Sequence, residues 1–484
     1  MGAVWLIDRM DAAVGDGIDA AVKARHRHRL YGLGWQRAIS PNGDGLWAEG
    51  DPPPREGNAI DVLIDGSEAL PAIAEAIAGA RRFVHVTGWH ITPGFELVRS
   101  GEGLSVGHLL AEVAERIPVR VLVWAGAPVP VFHPTRAEVK AAVDALTRQT
   151  AIEAAVDPRE HPVHCHHEKT VVVDGEVVFV GGIDLTDQAG DRFDSPGHPA
   201  RRRLGWHDAG TRIRGPVVAD VNDHFAMRWR NVTNKQADTT APPQPQGSST
   251  AQIVRTVAEN MYDDVAKGDF RILESYLRAL RSARRLIYLE NQFLWAPEIV
   301  DVLADKLRNP PSADFRLVML LPSKANNGQD DTRGQLSILA DADDGNDRFL
   351  AATLQARSGR RADRVYVHAK VGIVDDRWLT IGSANLNAHS LLNDSEMNVA
   401  TDDAGLARRT RVRLWAEHLE LAEAEVEAAA TTELVDNNWR PIATEELRRR
   451  NAGEPPAHHL LALPGVSRRS ARLLGPLQGL LEDV

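Results

Sequence analysis

The sequence repeats one pattern, first as His167-Glu168-Lys169-Thr170-Val171-Val172-Val173-Asp174 and again as His368-Ala369-Lys370-Val371-Gly372-Ile373-Val374-Asp375. Both copies read His-x-Lys-x-x-x-x-Asp, and each is followed by a glycine and a small residue, Gly181-Gly182 and Gly382-Ser383. Eight of the 56 basic residues are lysines, and two of those eight belong to these copies. Chance would give roughly a few hundredths of one such match per chain, so two copies with matching continuations indicate a duplicated functional site.

Each copy is predicted to form the first strand of a β-hairpin. Residues 169–173 and 176–180 are rich in β-branched side chains, and Asp174-Gly175 between them is a turn signal. We expect a two-residue turn here and another at Asp375-Asp376. Because strand side chains alternate between faces, each histidine shares a face with the lysine two residues later. Gly182 and Ser383 are expected opposite the histidines, where they leave room for a ligand.

These side chains suit the chemistry of a phosphodiester. An imidazole can attack phosphorus or carry a proton near neutral pH. Lysine ammonium and asparagine amide groups can hold the non-bridging oxygens while charge redistributes in the transition state. Two copies facing each other would place one histidine on each side of a phosphorus atom. The lysines supply the positive charge, so we expect neither a metal nor another cofactor.

The motifs and their surroundings resemble the phospholipase D superfamily, and most closely the eukaryotic-type phospholipases D. The resemblance rests on His166 to Asp184, on Gly382-Ser383-Ala384-Asn385 and on Asp394-Ser395-Glu396. Tyr288-Leu289-Glu290-Asn291-Gln292-Phe293 is similar to the stretch that those enzymes carry between the motifs. The similarity spans residues 57 to 425. It implies an α/β fold of two tandem phospholipase D-like sandwich domains that form one pseudo-symmetric, bilobal unit.

The resemblance also implies roles for individual residues. His167 would attack phosphorus and form a phosphohistidine, and His368 would protonate the leaving alcohol. Glu396 and Asp194 would orient the imidazoles, Asp194 being matched through Arg192-Phe193-Asp194-Ser195-Pro196. The symmetry of the two motifs does not decide which histidine attacks. The residues expected to hold the substrate phosphate are Lys169, Lys370, Asn385, Ser383 and Gly182.

The other acidic residues in and near the motifs are not expected to hold the substrate phosphate. Asp174 and Asp375 belong to the family's catalytic motif. An extended strand places them roughly 15 Å or more from the lysines, so turn capping is their expected contribution. Asp184 stands where many superfamily members have asparagine, and its carboxylate would repel a phosphate. Trp206-His207-Asp208 also resembles the eukaryotic-type enzymes.

Composition restricts the partners. Lys and Arg number 56 against 67 Asp and Glu, a net charge of −11 that argues against a specific nucleic-acid partner. A phospholipid at a membrane surface is the expected partner. Both half-sites lie in one chain, so a monomer is expected. The lone Cys165, the lack of a secretory signal and the lack of an apolar run of about 18 residues favour a cytoplasmic protein, with peripheral membrane contact as an alternative.

Changes in pattern predict the domain organisation. An N-terminal helix and loop occupy residues 1–56, the first phospholipase D-like domain 57–234, and a polar linker 235–249. The second domain occupies 250–430 and a helical tail 431–484. The stretches at 80–84 and 283–287 are similar, at an offset of 203 residues, close to the 201 that separates the two histidines. Such a long offset indicates domain duplication rather than a solenoid.

Several functions fit these observations. The first is hydrolysis of glycerophospholipids such as phosphatidylcholine to phosphatidic acid, with transfer of the phosphatidyl group to alcohols. The alternatives are a phosphatidyltransferase of the cardiolipin synthase kind and a nucleic-acid phosphodiesterase. A zinc site in the cluster His161, His164, Cys165, His166 and His167 is a further alternative, but alternating strand side chains let at most two or three of them converge. The head group is not determined by the sequence.

Overall fold

The computed structural model of the protein describes residues 2–99, 103–128, 133–161, 164–324 and 329–463. The elements of the first half are α1 (Gly2–Leu33), α2 (Gln36–Ile39), β1 (Arg55–Ile64), α3 (Asp65–Ala78), β2 (Val84–Gly88), β3 (Glu96–Val98), β4 (Leu104–Ser105), α4 (Val106–Ala114), β5 (Val119–Trp124), α5 (Arg136–Thr147), β6 (Glu153–Asp157), β7 (Thr170–Val173), β8 (Val177–Gly181), β9 (Gly205–His207), β10 (Ala209–Arg214) and α6 (Val218–Thr233).

The second half and the tail continue with β11 (Ser249–Val257), a short 3-10 helix (Asp263–Val265), β12 (Asp269–Phe270), α7 (Arg271–Ser282), β13 (Leu286–Glu290), α8 (Pro297–Arg308), β14 (Arg316–Leu320), α9 (Gln329–Asp343), β15 (Phe349–Ser358), β16 (Arg361–Val367), β17 (Val371–Val374), β18 (Trp378–Gly382), α10 (Ala388–Leu392), β19 (Glu396–Thr401), α11 (Ala404–Leu419), α12 (Glu423–Ala428), α13 (Thr431–Leu434), a π-helical turn (Val435–Trp439), α14 (Arg440–Asn451) and β20 (Leu460–Ala462).

The two halves have the same sheet topology. In the first half, neighbouring strands follow the order β6-β5-β2-β7-β8-β10-β1, with β6, β5 and β2 parallel and the others antiparallel. In the second half, the order β15-β14-β13-β17-β18-β19-β11 repeats the same directions. The predicted duplicated α/β architecture is therefore confirmed.

Helices cover one face of each sheet, and the sheets pack against each other. Helices α3 and α4 bury Leu70 and Leu110 in the core of the first half, and α7 and α8 bury Leu277 and Leu303 in that of the second. A further buried cluster combines Val180 and Ile213 of the first sheet with Ile253 and Val399 of the second, and β1 pairs with β11 at the edge. This packing fixes the halves relative to each other, which a site shared between them requires.

The motif hairpins form with one correction. The bridge pairs are Val173↔Val177 and Val374↔Trp378, so each connection has three residues instead of the expected two. The N–H of Glu176 still donates to the carbonyl of Val173 at 3.0 Å, which leaves Glu176 as an extra residue next to the turn. The predicted register was therefore wrong by one residue in both copies.

Asp174 and Asp375 do cap the hairpin connections. The Asp174 carboxylate accepts backbone N–H groups from residues 81 to 83, and Asp375 accepts those of Arg284, Arg285 and Leu286, each at 2.7 Å. These amides belong to the two similar stretches of sequence at 80–84 and 283–287. The two aspartates lie at the far end of each hairpin from the histidines, so, although they belong to the catalytic motif, they cap the hairpins and do not contact the histidines or lysines.

Replacing Asp375 by alanine is expected to lower the free energy of unfolding by about 1–3 kcal/mol, because three backbone amides, one of them half-buried and two exposed, lose a charged acceptor. Urea denaturation of the purified chain measures this loss. Asp363, which is exposed on β16, is the matched control, and its alanine variant should change stability by less than about 0.5 kcal/mol. Equal effects for the two variants would contradict a capping role for Asp375.

The C-terminal tail is only partly helical, in contrast to the helical tail predicted for residues 431–484. The predicted tail is helical through α13 and α14, but β20 then pairs antiparallel with β15, so the tail adds a strand to the second sheet. Residues beyond 463 lie outside the described part of the tail. Among the helices that the structure describes, none combines the length and apolarity needed to cross a membrane.

Candidate active site

The two motif histidines meet between the halves. Their ring centroids are 6.4 Å apart, and the ring planes are inclined by 67°. Each histidine lies three residues before the first strand of its hairpin, β7 or β17, where the chain leaves the regular sheet. The sequence placed these residues in separate domains, and the packing of the two sheets brings them together.

Crossed backbone hydrogen bonds hold the motifs face to face. The N–H groups of His167 and Glu168 donate to the carbonyl oxygen of Ser395 in the second half, at 2.9 and 3.0 Å. Reciprocally, the N–H groups of His368 and Ala369 donate to the carbonyl of His207 in the first half, at 2.8 and 3.1 Å. Each histidine is thus positioned by the opposite half of the chain.

Glu396 contacts His167, as the family resemblance implied. The His167 Nδ1 atom lies 3.0 Å from Glu396 Oε1, and the hydroxyls of Ser383 and Ser390 also donate to this carboxylate. Burial raises the pKa of Glu396 to about 8, and the negative charge of Asp394 adds to the effect. Since Nδ1 is occupied, the Nε2 atom of His167 is the one available to a substrate.

Asp208 holds the second histidine. Its Oδ2 atom lies 2.6 Å from His368 Nδ1. Asp208 directly precedes β10, and Glu396 begins the equivalent strand β19, so the two carboxylates occupy corresponding places. A Cβ atom at Gly182 would lie 2.1 Å from Asp208 Oδ1, which explains why glycine stands there. Gly182 therefore makes room for the carboxylate, and Ser383, at the corresponding position, donates to Glu396 instead.

The expectation that Asp194 orients a catalytic histidine was wrong. The Asp194 Oδ2 atom lies 2.8 Å from Nδ1 of His198, within the same loop, and the carboxylate is fully buried there. The usable signal was Trp206-His207-Asp208, which precedes a strand equivalent to that of Glu396. It was missed because the loop before β10 has no counterpart of the same length in the second half.

The two lysines lie beside the histidines. Lys169 Nζ donates to the carbonyl of His167 at 2.7 Å and lies 3.7 Å from Asp184 Oδ2. Lys370 Nζ donates to the carbonyl of His368 at 2.5 Å and to Gln292 Oε1 at 3.2 Å. Burial lowers the pKa of Lys370 to about 7. The positive charge of Lys169 also acts to lower the pKa of Lys370, and two buried cations that repel each other favour a site that receives an anion.

Other polar groups complete the site. The Oδ1 atom of Asn385 is buried and has no hydrogen-bond partner. The guanidinium of Arg192 lies over the indole of Trp206, and that indole packs against the His368 ring at a centroid distance of 4.4 Å. Sequence reasoning missed Arg192 because it lies in a long loop without a periodic pattern.

Both imidazoles are biased toward their neutral forms. Burial lowers the pKa of His167 well below its usual value, and the charges of Lys169 and Lys370 lower it further. Burial and Lys370 act in the same direction on the pKa of His368. A neutral imidazole is the nucleophilic form.

Three groups of side chains in the described part of the chain could hold a metal ion: Asp65, His198, His207 and Glu417; His164, His389 and Asp394; and His207, Glu290 and His418. Neither His167 nor His368 belongs to any of them. Of the histidine cluster at positions 161 to 167, His164 alone takes part.

Both halves of the chain match known protein families. Residues 76–205 match the family described as Phospholipase D, and residues 276–417 match the one described as Cardiolipin synthase, PLD-like domain. Similar proteins include phospholipase D A of Dictyostelium discoideum, 25% identical over 76% of this chain, and phospholipase D alpha 1 of Cynara cardunculus, 24% identical over 82%. The chain spans 36% of the first relative and 70% of the second.

Among solved structures, phosphatidylserine synthase of Haemophilus influenzae is similar in fold. The alignment has a TM-score of 0.53 at 13% sequence identity, and it covers 81% of this chain and 93% of that one. One family match lies in each half of the duplicated structure, and each match contains one of the two equivalent motifs. By these observations the chain belongs to the phospholipase D superfamily of enzymes.

Proposed function

We propose that this protein is a phospholipase D that hydrolyses glycerophospholipids such as phosphatidylcholine to phosphatidic acid through a phosphohistidine at His167. The observation that supports this most strongly is the pairing of His167 and His368 across the interface, each with a buried carboxylate on its Nδ1 atom. That arrangement occupies both Nδ1 atoms and leaves both Nε2 atoms available to a substrate.

In the first step, His167 Nε2 attacks phosphorus. An N–P bond forms, the P–O bond to the head-group alcohol breaks, and His368 gives its Nε2 proton to the departing oxygen. Binding of the anionic diester next to Asp208 and His368 favours the imidazolium form that this transfer needs. Glu396 stabilises the positive charge that develops on His167 as the N–P bond forms.

In the second step, water attacks the phosphohistidine. His368 takes a proton from the water, the new P–O bond forms, and the N–P bond breaks to release phosphatidic acid. Lys169, Lys370 and Asn385 hold the non-bridging oxygens in both steps. Ser383 acts mainly through Glu396, since its hydroxyl donates to that carboxylate. An alcohol in place of water would give a new phosphodiester.

Incubation of the purified chain with phosphatidylcholine vesicles and ethanol tests the proposal. We expect phosphatidic acid and phosphatidylethanol, which mass spectrometry identifies. The variant of the exposed His108 to alanine is the matched control and should retain the activity. If neither lipid product forms while a bis-aryl phosphodiester is cleaved, the histidine pair is active but the lipid substrate is wrong.

A phosphatidyltransferase of the cardiolipin synthase kind is the second candidate, favoured by the description of the family that matches residues 276–417. The chemistry is the same, but the acceptor is a lipid alcohol. Adding phosphatidylglycerol to the same vesicles distinguishes the two. A transferase would form the bridged lipid faster than phosphatidic acid, whereas a phospholipase D would not.

A further inference from the structure

A second cluster of titratable side chains lies behind the active site, between the two halves. Asp65 begins α3, His198 lies in the loop before β9, His207 ends β9, and Glu417 lies on α11 of the second half. Asp65, His198 and His207 have no exposed surface, and the Glu417 side chain is 4% exposed. The proposed mechanism uses none of the four.

Their ligand atoms converge on one point. The His207 Nδ1 atom lies 2.9 Å from Asp65 Oδ1 and 3.5 Å from Glu417 Oε1, and His198 Nε2 lies 3.2 Å from Glu417 Oε1. All four ligand atoms lie within 4.8 Å of one another. Four ligands at about 2.0–2.1 Å around a tetrahedral zinc ion are separated from one another by about 3.3–3.5 Å. The two distances to Glu417 are close to this value, and the shorter His207–Asp65 distance is that of a hydrogen bond.

Three buried polar atoms of this cluster make no hydrogen bond in the protein. Asp65 Oδ2, His198 Nε2 and Glu417 Oε1 are buried and make no hydrogen bond. The His198 and Glu417 atoms are near each other but are not aligned for one. Buried polar atoms are nearly always satisfied, so three unsatisfied atoms on residues of one buried cluster indicate a further ligand.

The other nitrogen of each histidine is held by a further buried carboxylate. His198 Nδ1 lies 2.8 Å from Asp194, and His207 Nε2 lies 3.0 Å from Glu290. Metal-binding histidines almost always donate their second N–H in this way, because the bond fixes the ring and its tautomer. Asp194 therefore holds the ring of His198 and not that of His368.

We infer that Asp65, His198, His207 and Glu417 form a site for one divalent transition-metal ion of the zinc class. Two imidazoles and two carboxylates are a donor set that zinc accepts, and four protein ligands are typical of a structural site. A surface cleft of about 550 Å³, bordered by Glu417 and His459, offers a path for entry.

The ion would join the halves behind the catalytic histidine. Three ligands come from the first half and Glu417 comes from the second. His207 also carries the carbonyl that binds the His368 backbone, and it precedes Asp208, which holds the His368 ring. The ion would therefore be a positioning element for the active site, and it would take no part in the reaction. The inference does not depend on the lipid substrate.

Metal analysis of the purified 484-residue chain, expressed with zinc in the medium and freed of any histidine tag, tests the site. We expect about one equivalent of zinc per chain, and X-ray absorption should show nitrogen and oxygen ligands at about 2.0–2.1 Å. Removing the metal with dipicolinate should lower the Tm, and adding zinc should restore it. Wild-type protein with no bound metal, and a Tm that zinc does not change, would overturn the inference.

Variants locate the ion. His198→Gln should abolish stoichiometric binding, whereas His164→Gln, in the separate group with His389 and Asp394, should leave one equivalent bound. Asp194→Asn removes no ligand and should weaken zinc affinity by about 10- to 100-fold, so it tests the site even if His198→Gln does not fold. Loss of metal in the His164 variant, or unchanged affinity in the Asp194 variant, would assign the ion elsewhere.

Discussion

Replacing His167 by alanine is expected to reduce turnover by about ten-thousand-fold or more and to abolish the covalent phosphoenzyme, because the chain loses the proposed nucleophile and the remaining imidazole, His368, is the proposed acid and base. The measurement is a rapid quench with a phosphatidyl-p-nitrophenol substrate carrying a labelled phosphorus. The nitrophenolate leaves without a proton, so formation of the intermediate does not depend on His368. Mass spectrometry of the digested protein then locates the label.

His368→Ala should behave differently with the same substrate. It should form the phosphoenzyme and then accumulate it, because the second step has lost the base that activates water. The His108→Ala control should show ordinary turnover. A label on His368 in the His167 variant would show that the two roles are reversed, and an absence of label in every protein would exclude a phosphohistidine.

Asp208→Asn is expected to lower hydrolysis by roughly 10³- to 10⁴-fold. The wild-type carboxylate accepts the Nδ1 proton of His368 at 2.6 Å, which leaves Nε2 able to take a proton from water. An asparagine amide can donate to Nδ1 instead, and the ring proton then moves to Nε2, where it blocks that step. The slow step should be breakdown of the phosphoenzyme, so a burst of nitrophenolate should precede slow turnover.

Two further variants make this result specific. Asp187→Asn, in a half-exposed ion pair with Arg203, should retain wild-type turnover. Asp194→Asn should cost at least about tenfold less than Asp208→Asn, because Asp194 reaches His368 only through other residues. An Asp194 variant as inactive as the Asp208 variant would contradict the assignment of the orienting carboxylate.

The sequence by itself determined the class of fold and most of the residues that meet at the candidate active site. A rare lysine two residues after a histidine, repeated with the same continuation, identified the two halves, the hairpins and the paired histidines and lysines of the candidate site. These features are local, since strand alternation and turn residues are set by neighbours within about ten positions. The turn-capping aspartates could also be interpreted locally, because an extended strand carries them away from the histidines.

The tertiary structure decided which groups contact each other across the halves. Asp208 and Asp194 both lie between β8 and β10, and choosing between them required the equivalence of β10 and β19, which only the fold shows. The choice depends on how β10 packs beside Gly182 and how the second half presents His368. The tertiary structure also decided the grouping of Asp65, His198, His207 and Glu417. These residues are separated by up to 352 positions and meet only because the two sheets pack together. Contacts of this range are set by the burial of apolar faces in both halves, and no local pattern records them.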